Sequence, residues 1–274
     1  MRVVIKDNEK QVAEYAYEIV RMALVDRQYK VLGLPTGSTP LLLYSELIAG
    51  LNRTEIDFSD ISTFNLDEYL GLSADHPRSY RYFMETRLFE KINIKPSNIH
   101  FLNGLTDNVE AECAEYEDQI AALGGIKLQI LGIGRDGHIG FNEPGSSLES
   151  RTHYVTLTKE TIADNARFFD REKDVPRWAL TMGVGTVMDA EQILLLATGE
   201  NKAAAVAAMI EGPITQMCSA SALQSHPDVT VVIDWAAASK LQHLEYWKQA
   251  ADDYDEMYDF LTAARRHAGL EDSY

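Results

Sequence analysis

Short apolar, β-branched runs alternate with amphipathic helical stretches almost from end to end of the chain. The strand-like runs fall at 3–5, 30–34, 61–65, 127–132, 153–157, 179–182, 193–197 and 229–233. Between them, apolar residues recur at helical spacing over 11–25, 41–49, 79–91, 109–123, 159–167, 202–210 and 242–264. Several strand-like runs are apolar at consecutive positions, which suits strands covered on both faces, as in a parallel sheet. The pattern therefore predicts an α/β layer structure, a doubly wound, mainly parallel sheet with helices on both faces. No Pro/Gly/Ser-rich linker and no internal repeat interrupts it, so 1–240 is expected to form one domain. Residues 241–274 add an acidic amphipathic helix on which Leu244, Trp247, Ala251, Tyr254, Tyr258 and Leu261 recur at helical spacing. That stripe is expected to pack on, or extend, the same domain.

Composition narrows the partners. The 274 residues are 46% hydrophobic, enough for a sizeable core and too many for a disordered chain. A formal net charge of −17 argues against nucleic acid and anionic membranes, since binding either needs a cationic face. Cys113 and Cys218 cannot build a disulfide framework and sit in no metal-binding spacing, so both read as buried thiols. The start of the chain lacks the apolar core of a signal peptide, and no apolar run approaches the ~18 residues of a membrane span. A cytoplasmic protein is expected; a homo-oligomer is left open.

In a Rossmann-like, doubly wound sheet, ligands collect at the carboxyl ends of the strands. Three strand ends here run into polar, Gly-containing loops. In the first, Leu34-Pro35-Thr36-Gly37-Ser38-Thr39-Pro40, Thr39 suits a helix N-cap and Pro40 the first helical position. Gly37 and Ser38 let backbone N–H groups converge at a helix start, which favours phosphate or carboxylate. It is neither a Walker loop nor a Gly-x-Gly-x-x-Gly turn, and an ordinary capped turn is close behind. The second, Asn65-Leu66-Asp67-Glu68-Tyr69, sets two carboxylates directly after a strand. One of them, if partly buried, could serve as a general base; adjacent side chains diverge, so only one is expected to face a site, and a turn with surface acids fits the stretch alone about as well.

The third loop, Gly132-Ile133-Gly134-Arg135-Asp136-Gly137-His138-Ile139-Gly140-Phe141-Asn142-Glu143-Pro144-Gly145, threads three titratable side chains among glycines. A histidine flanked by Asp136 and Glu143 suits proton transfer, because carboxylates fix its tautomer and raise its pKa. A metal site at Asp136, His138 and Glu143 is the weaker reading, with no second His or Cys nearby to complete a ligand set. Arg167 and Lys202 are isolated cations, each able to clamp a phosphate at Thr36–Thr39, although a surface cation is the better reading of either alone.

Taken together and in order, these loops resemble one family, glucosamine-6-phosphate deaminase. Ser150-Arg151-Thr152, Ala166-Arg167-Phe168-Phe169 and Ala179-Leu180-Thr181-Met182-Gly183-Val184-Gly185-Thr186 carry the same resemblance, which runs from the start of the chain to Ile233. It implies conversion of glucosamine 6-phosphate and water to fructose 6-phosphate and ammonia. Asp67 would move the C2 proton to C1. Asp136, His138 and Glu143 would form the ring-opening group, and Thr36, Gly37, Ser38, Thr39, Arg167 and Lys202 would hold the phosphate. Carboxylates and an imidazole suffice for such proton transfers, so no cofactor and no metal is expected.

Two departures from the family pattern matter. Ser38 stands where a second glycine is common, which is tolerable at negative φ. His153 and Val155 occupy places that are basic in members activated by N-acetylglucosamine 6-phosphate, so strong allosteric activation is not expected. A 6-phosphogluconolactonase-like hydrolase and a non-catalytic sugar-phosphate sensor domain are the alternatives. The Phe141-Asn142-Glu143-Pro144 continuation and the retained Asp67 and His138 speak against them, and the acidic chain has no basic DNA-binding extension. An isomerase without deamination would share the first proton transfer.

Overall fold

The structure is a computed structural model that describes residues 1–267. Ten strands are present: β1 (Arg2–Lys6), β2 (Val31–Leu34), β3 (Ser62–Asn65), β4 (Asp67–Tyr69), β5 (Ile99–His100), β6 (Leu128–Leu131), β7 (His153–Thr156), β8 (Trp178–Thr181), β9 (Gln192–Ala197) and β10 (Val229–Asp234). The α-helices are α1 (Glu9–Val25), α2 (Leu41–Asn52), α3 (Tyr80–Arg87), α4 (Val109–Ala122), α5 (Lys159–Asn165), α6 (Val184–Met188), α7 (Ala203–Glu211), α8 (Trp235–Ala238) and α9 (Leu244–His267). Seven strands form one sheet in the order β1-β10-β9-β6-β2-β3-β5, every neighbouring pair parallel.

Both faces of that sheet are covered, and successive residues alternate between them. Ile193, Leu195, Val229, Val231 and Ile233 bury into one core cluster with Tyr116 of α4 and Val206 and Met209 of α7. Leu194, Leu196 and Val232 point the other way, into a cluster with Val12, Ala16 and Val20 of α1 and Leu43 and Leu47 of α2. The consecutive apolar runs thus reflect burial on both sides. Helix α9 lies against edge strand β1, with Leu244 and Trp247 packed on the first cluster and Ala251 buried in the second. The Arg2 guanidinium sits 4.6 Å from the centre of the Tyr254 ring. Of the expected stripe, the side chains of Tyr258 and Leu261, together with all of 268–274, lie outside the described residues.

Three features differ from the pattern-based expectation. The strands expected at 153–157 and 179–182 belong to a separate three-stranded antiparallel sheet, β4-β8-β7. Strands β4 and β5, of three and two residues, are too short to show a period. Helix α2 begins at Leu41, with Pro40 as its N-cap and no side-chain cap, so Thr39 does not act as one.

The small sheet sets the direction of the paired acids. Alternation along β4 sends Asp67 and Glu68 to opposite sides. Glu68 is buried and accepts hydrogen bonds from the backbone N–H groups of Tyr69 (2.8 Å), Tyr80 (3.0 Å) and Arg81 (2.8 Å). It fastens the start of α3 to the sheet, reinforcing the Ser79 side-chain cap. Glu68→Ala would strand these buried donors; the expected cost is about 1–3 kcal/mol, read as a lower melting temperature. An unchanged melting temperature would remove Glu68 from this structural role.

Candidate active site

The main sheet changes direction between β2 and β6. From β2 the chain builds outward through β3 and β5; from β6 it builds the other way through β9 and β10. Loops leaving the carboxyl ends of these two neighbours diverge and leave a crevice, the usual ligand position in such a sheet. A cavity of about 650 Å³ occupies it. Thr36, Gly37, Ser38, Thr39, Asp67, His138, Arg167 and Lys202 all line it, so loops far apart in sequence meet at one place.

Asp67 enters from β4, where it stands opposite Thr181 of β8. It is buried at 7% exposure, and this burial pushes its carboxyl up to about 7. The neighbouring charge of Glu68 adds to the rise, while His138 opposes it. Gly140 lets the 132–145 loop pass close by. Its φ of +56° disfavours any side chain, and a Cβ there would come within 2.9 Å of Thr181 Oγ1 and 3.7 Å of Asp67 Oδ2.

His138 stands between the other two acids. Its Nδ1 lies 2.7 Å from Asp136 Oδ1 and 3.7 Å from Glu143 Oε2, though neither oxygen is placed for a straight hydrogen bond. Burial resists charging of the ring, but Asp136 and then Glu143 outweigh it, and the His138 pKa rises. Burial likewise works to raise the Asp136 pKa, and the His138 contact overcomes it, so that carboxyl ends below its usual range. The ring therefore holds a proton more readily than a free imidazole does, beside an acid that gives its own proton up more readily than usual. The ligand atoms of Asp136, His138 and Glu143 also lie within 4.8 Å of one another, compact enough to surround a cation.

Also lining the cavity, Gly37 takes a φ of +100° at the turn into α2. Among the described residues only Gln28 and Thr54 have positive φ without being glycine, so Ser38 sits in ordinary backbone. Tyr44 of α2 donates from its hydroxyl to the Pro35 carbonyl, tying the loop to the helix it precedes. The start of α2, where no side chain caps the helix, lines the cavity at Leu41 and Leu42; the Leu41 N–H is given to the Ser38 carbonyl at 3.3 Å. Lys202 precedes α7 and donates from Nζ to the Ile133 carbonyl at 2.6 Å. Burial lowers its pKa, Arg167 and Arg135 lower it further, and Asp164 and Asp136 oppose them. An ammonium carries three donors, so this bond leaves others for an anion.

Several residues that support this arrangement were not singled out from sequence. Thr158, the N-cap of α5, gives its backbone N–H (3.1 Å) and hydroxyl (3.3 Å) to Glu143. A Thr ahead of a helical run is a readable cap signal; its contact with Glu143 is not. Asn142, fully buried, donates to the carbonyls of Ile139 (2.9 Å) and Met182 (2.8 Å) and so holds the loop to the end of β8. Ser219 bonds the loop at Ile139 and Asn142, and no local pattern marks it. Tyr69, Tyr80, Phe141 and Phe169 form an aromatic wall, in which Asn165 donates to the Tyr69 hydroxyl at 2.8 Å. His153 and Val155 stand on β7, the latter buried against Tyr69 and Phe141.

A family model described as glucosamine-6-phosphate isomerases/6-phosphogluconolactonase matches residues 6–232. The chain belongs to this family. Within the glucosamine-6-phosphate isomerase/6-phosphogluconolactonase family it is 52% identical over 248 residues to a glucosamine-6-phosphate deaminase of Hahella chejuensis, covering 90% of this chain and 95% of the relative. A deaminase of Thermoanaerobacter pseudethanolicus is 53% identical over 239 residues, covering 87% and 94%. A solved structure described as a monomeric glucosamine-6-phosphate deaminase superimposes with a TM-score of 0.86 at 46% identity, covering 88% of this chain and all of that one. A Trypanosoma brucei 6-phosphogluconolactonase, at 19% identity and a TM-score of 0.68 over 88% of this chain and 98% of that one, shares the fold.

The raised Asp67 pKa has a consequence for stability. A carboxyl that protonates more readily when folded costs stability once it must ionise, fully above pH 7 and not at all below the unfolded value near 4. Asp67→Asn removes that cost. The variant is expected to melt higher than the parent at pH 8, with the gap closing toward pH 4. Equal shifts at both pH values would contradict the burial account.

Proposed function

We propose that this chain converts glucosamine 6-phosphate and water to fructose 6-phosphate and ammonia, as a cytoplasmic enzyme of amino-sugar breakdown. The observation that carries the reading is Asp67. A carboxyl titrating at about 7, buried in a cavity also lined by a helix start, Arg167 and Lys202, suits carbon chemistry on an anchored phosphate ester. The likeness to deaminases at about half identity supports the same substrate. Residues 1–240 are proposed as the catalytic domain, with the helix beyond them packed on it.

The phosphate would be held by Thr36, Gly37, Ser38, Thr39, Arg167 and Lys202, which fixes the reacting carbons by distance along the sugar. His138, with Asp136 and Glu143 both at its Nδ1, carries the proton between sugar oxygens as the ring opens to the C1 aldehyde. Asp67 then removes the C2 proton; the electron pair moves into the C1–C2 bond and onto the aldehyde oxygen, which takes up a proton released by the C2 ammonium, giving an enediol-type (enolamine) intermediate. Asp67 returns its proton to C1, which becomes a CH2OH group and leaves C2 as an iminium. Water adds at C2 and ammonia leaves, restoring a carbonyl. Every step is proton transfer or addition at a polarised carbon, for which the carboxylates and imidazole suffice. His153 and the buried Val155 offer little to an anionic effector, so activation by N-acetylglucosamine 6-phosphate is expected to be weak or absent.

Purified protein should release ammonia from glucosamine 6-phosphate without added metal, and should leave glucose 6-phosphate and 6-phosphogluconolactone essentially unchanged. Asp67→Asn should lower kcat by about 10²–10⁴-fold, the usual weight of one acid–base group. The parent rate should fall as the pH drops through about 7, where Asp67 takes up its proton. Full activity in the variant would remove Asp67 from the base role. Loss of activity on chelation, restored by a divalent cation, would instead assign Asp136, His138 and Glu143 to a metal.

A further inference from the structure

One ionic contact in the cavity wall has no place in the chemistry above. Arg135 lies in the 132–145 loop directly before Asp136, and Asp164 lies on the last turn of α5. The guanidinium of Arg135 meets the carboxylate of Asp164 with two donors: Nε reaches Oδ2 at 2.7 Å, and a terminal nitrogen reaches Oδ1. This is the fork geometry with which an arginine also grips a phosphate. Both residues line the cavity, and neither is sealed from solvent: 53% of the Arg135 side chain and 37% of the Asp164 side chain remain exposed. A pair this exposed is held weakly and exchanges partners readily.

Its surroundings are those of an anion site. Lys202 is tied to the Ile133 carbonyl, two residues before Arg135, and responds to the charges of Asp164, Arg167 and Arg135 together. Asp164 is thus a carboxylate set among three cations in the part of the cavity assigned to phosphate. The helix that carries it also reaches the other end of the site, since Thr158 at its start holds Glu143.

We propose that Arg135 is a further phosphate-binding residue, and that Asp164 holds its guanidinium as an internal anion which the incoming phosphate displaces. The proposal rests on the reading of the ligand as a sugar phosphate. A phosphate dianion outcompetes a single carboxylate for the same fork by its greater charge and its third oxygen. Displacement then frees the last turn of α5 from the loop that carries Asp136 and His138, so ligand arrival is felt at both ends of the helix. Asp164 sets a lower affinity than the cations alone would give.

The test is a double-mutant cycle on the intact chain with Asp164→Asn, Arg135→Gln and the pair, read by calorimetric titration with inorganic phosphate and by KM and kcat for glucosamine 6-phosphate. Asp164→Asn should tighten phosphate binding and lower KM by about three- to tenfold with little change in kcat. Arg135→Gln should weaken both by a similar factor. In the Arg135→Gln background, Asp164→Asn should lose most of its effect. An Asp164→Asn gain that persists undiminished without Arg135 would show simple removal of repulsion and overturn the proposal, as would an unchanged or weaker phosphate affinity. Melting curves of all three variants separate a folding defect from a binding effect. Phosphate titration needs no turnover, so a protein that binds phosphate as described but releases no ammonia would contradict the proposed reaction and not Arg135.

Discussion

The burial of one carboxylate organises this molecule. Asp67 sits under the 132–145 loop with too little water to stabilise its charge, and its proton affinity rises by about three powers of ten as a result. Among the described residues no partner cancels that effect with a full ion pair; His138 only moderates it. The neighbouring acid is handled in the opposite way. Glu68 is equally buried, and burial pushes its carboxyl up as well, but three backbone N–H groups hold it back. One residue is thereby spent on structure and its neighbour left reactive, although both carry the same functional group.

That division depends on the small antiparallel sheet. A parallel sheet alone would bring the chain from β3 straight into a loop, with no constraint on which acid faces the crevice. Pairing β4 with β8 fixes the alternation, and the register sets Asp67 opposite Thr181. Thr181 in turn accepts the Phe141 N–H at 3.0 Å, so one strand end positions both the acid and the loop above it. The loop's own Asn142 reaches out to the Met182 carbonyl, and Ser219 and Thr158 complete the attachment from two other segments. The loop's glycines give it the freedom to make its turns, and these contacts remove that freedom where chemistry needs rigidity.

Much of this was legible in the chain, for identifiable reasons. The parallel core announces itself because strands covered on both faces must be apolar at every position, as Ile193-Leu194-Leu195-Leu196 is. The chemistry-bearing loops are visible because each follows such a strand and concentrates glycine and titratable residues. Strand β4 left no trace: Asp67-Glu68-Tyr69 is three residues, two of them of low strand propensity, one residue after β3, and it forms through pairing with a strand more than a hundred residues away. Thr39 was a reasonable cap by type, yet the turn closes one residue later, at Pro40. The Thr158 contact to Glu143 and the Ser219 bonds are tertiary, and no window along the sequence contains both partners.

The charge of −17 also takes on a local meaning. An acidic protein that handles an anion must gather its cations in one place, and here Arg167, Lys202 and Arg135 line the same cavity as the start of α2. Screening at physiological salt confines the repulsion of the remaining surface to about 8 Å. The central claim remains the state of Asp67. Carbon-13 NMR of carboxyl-labelled protein, with the Asp67 signal assigned by its loss in Asp67→Asn, measures that state directly across a pH titration. The account predicts a midpoint close to 7, whereas a midpoint near 4 would mean that burial does not hold the proton and that the base must be sought elsewhere.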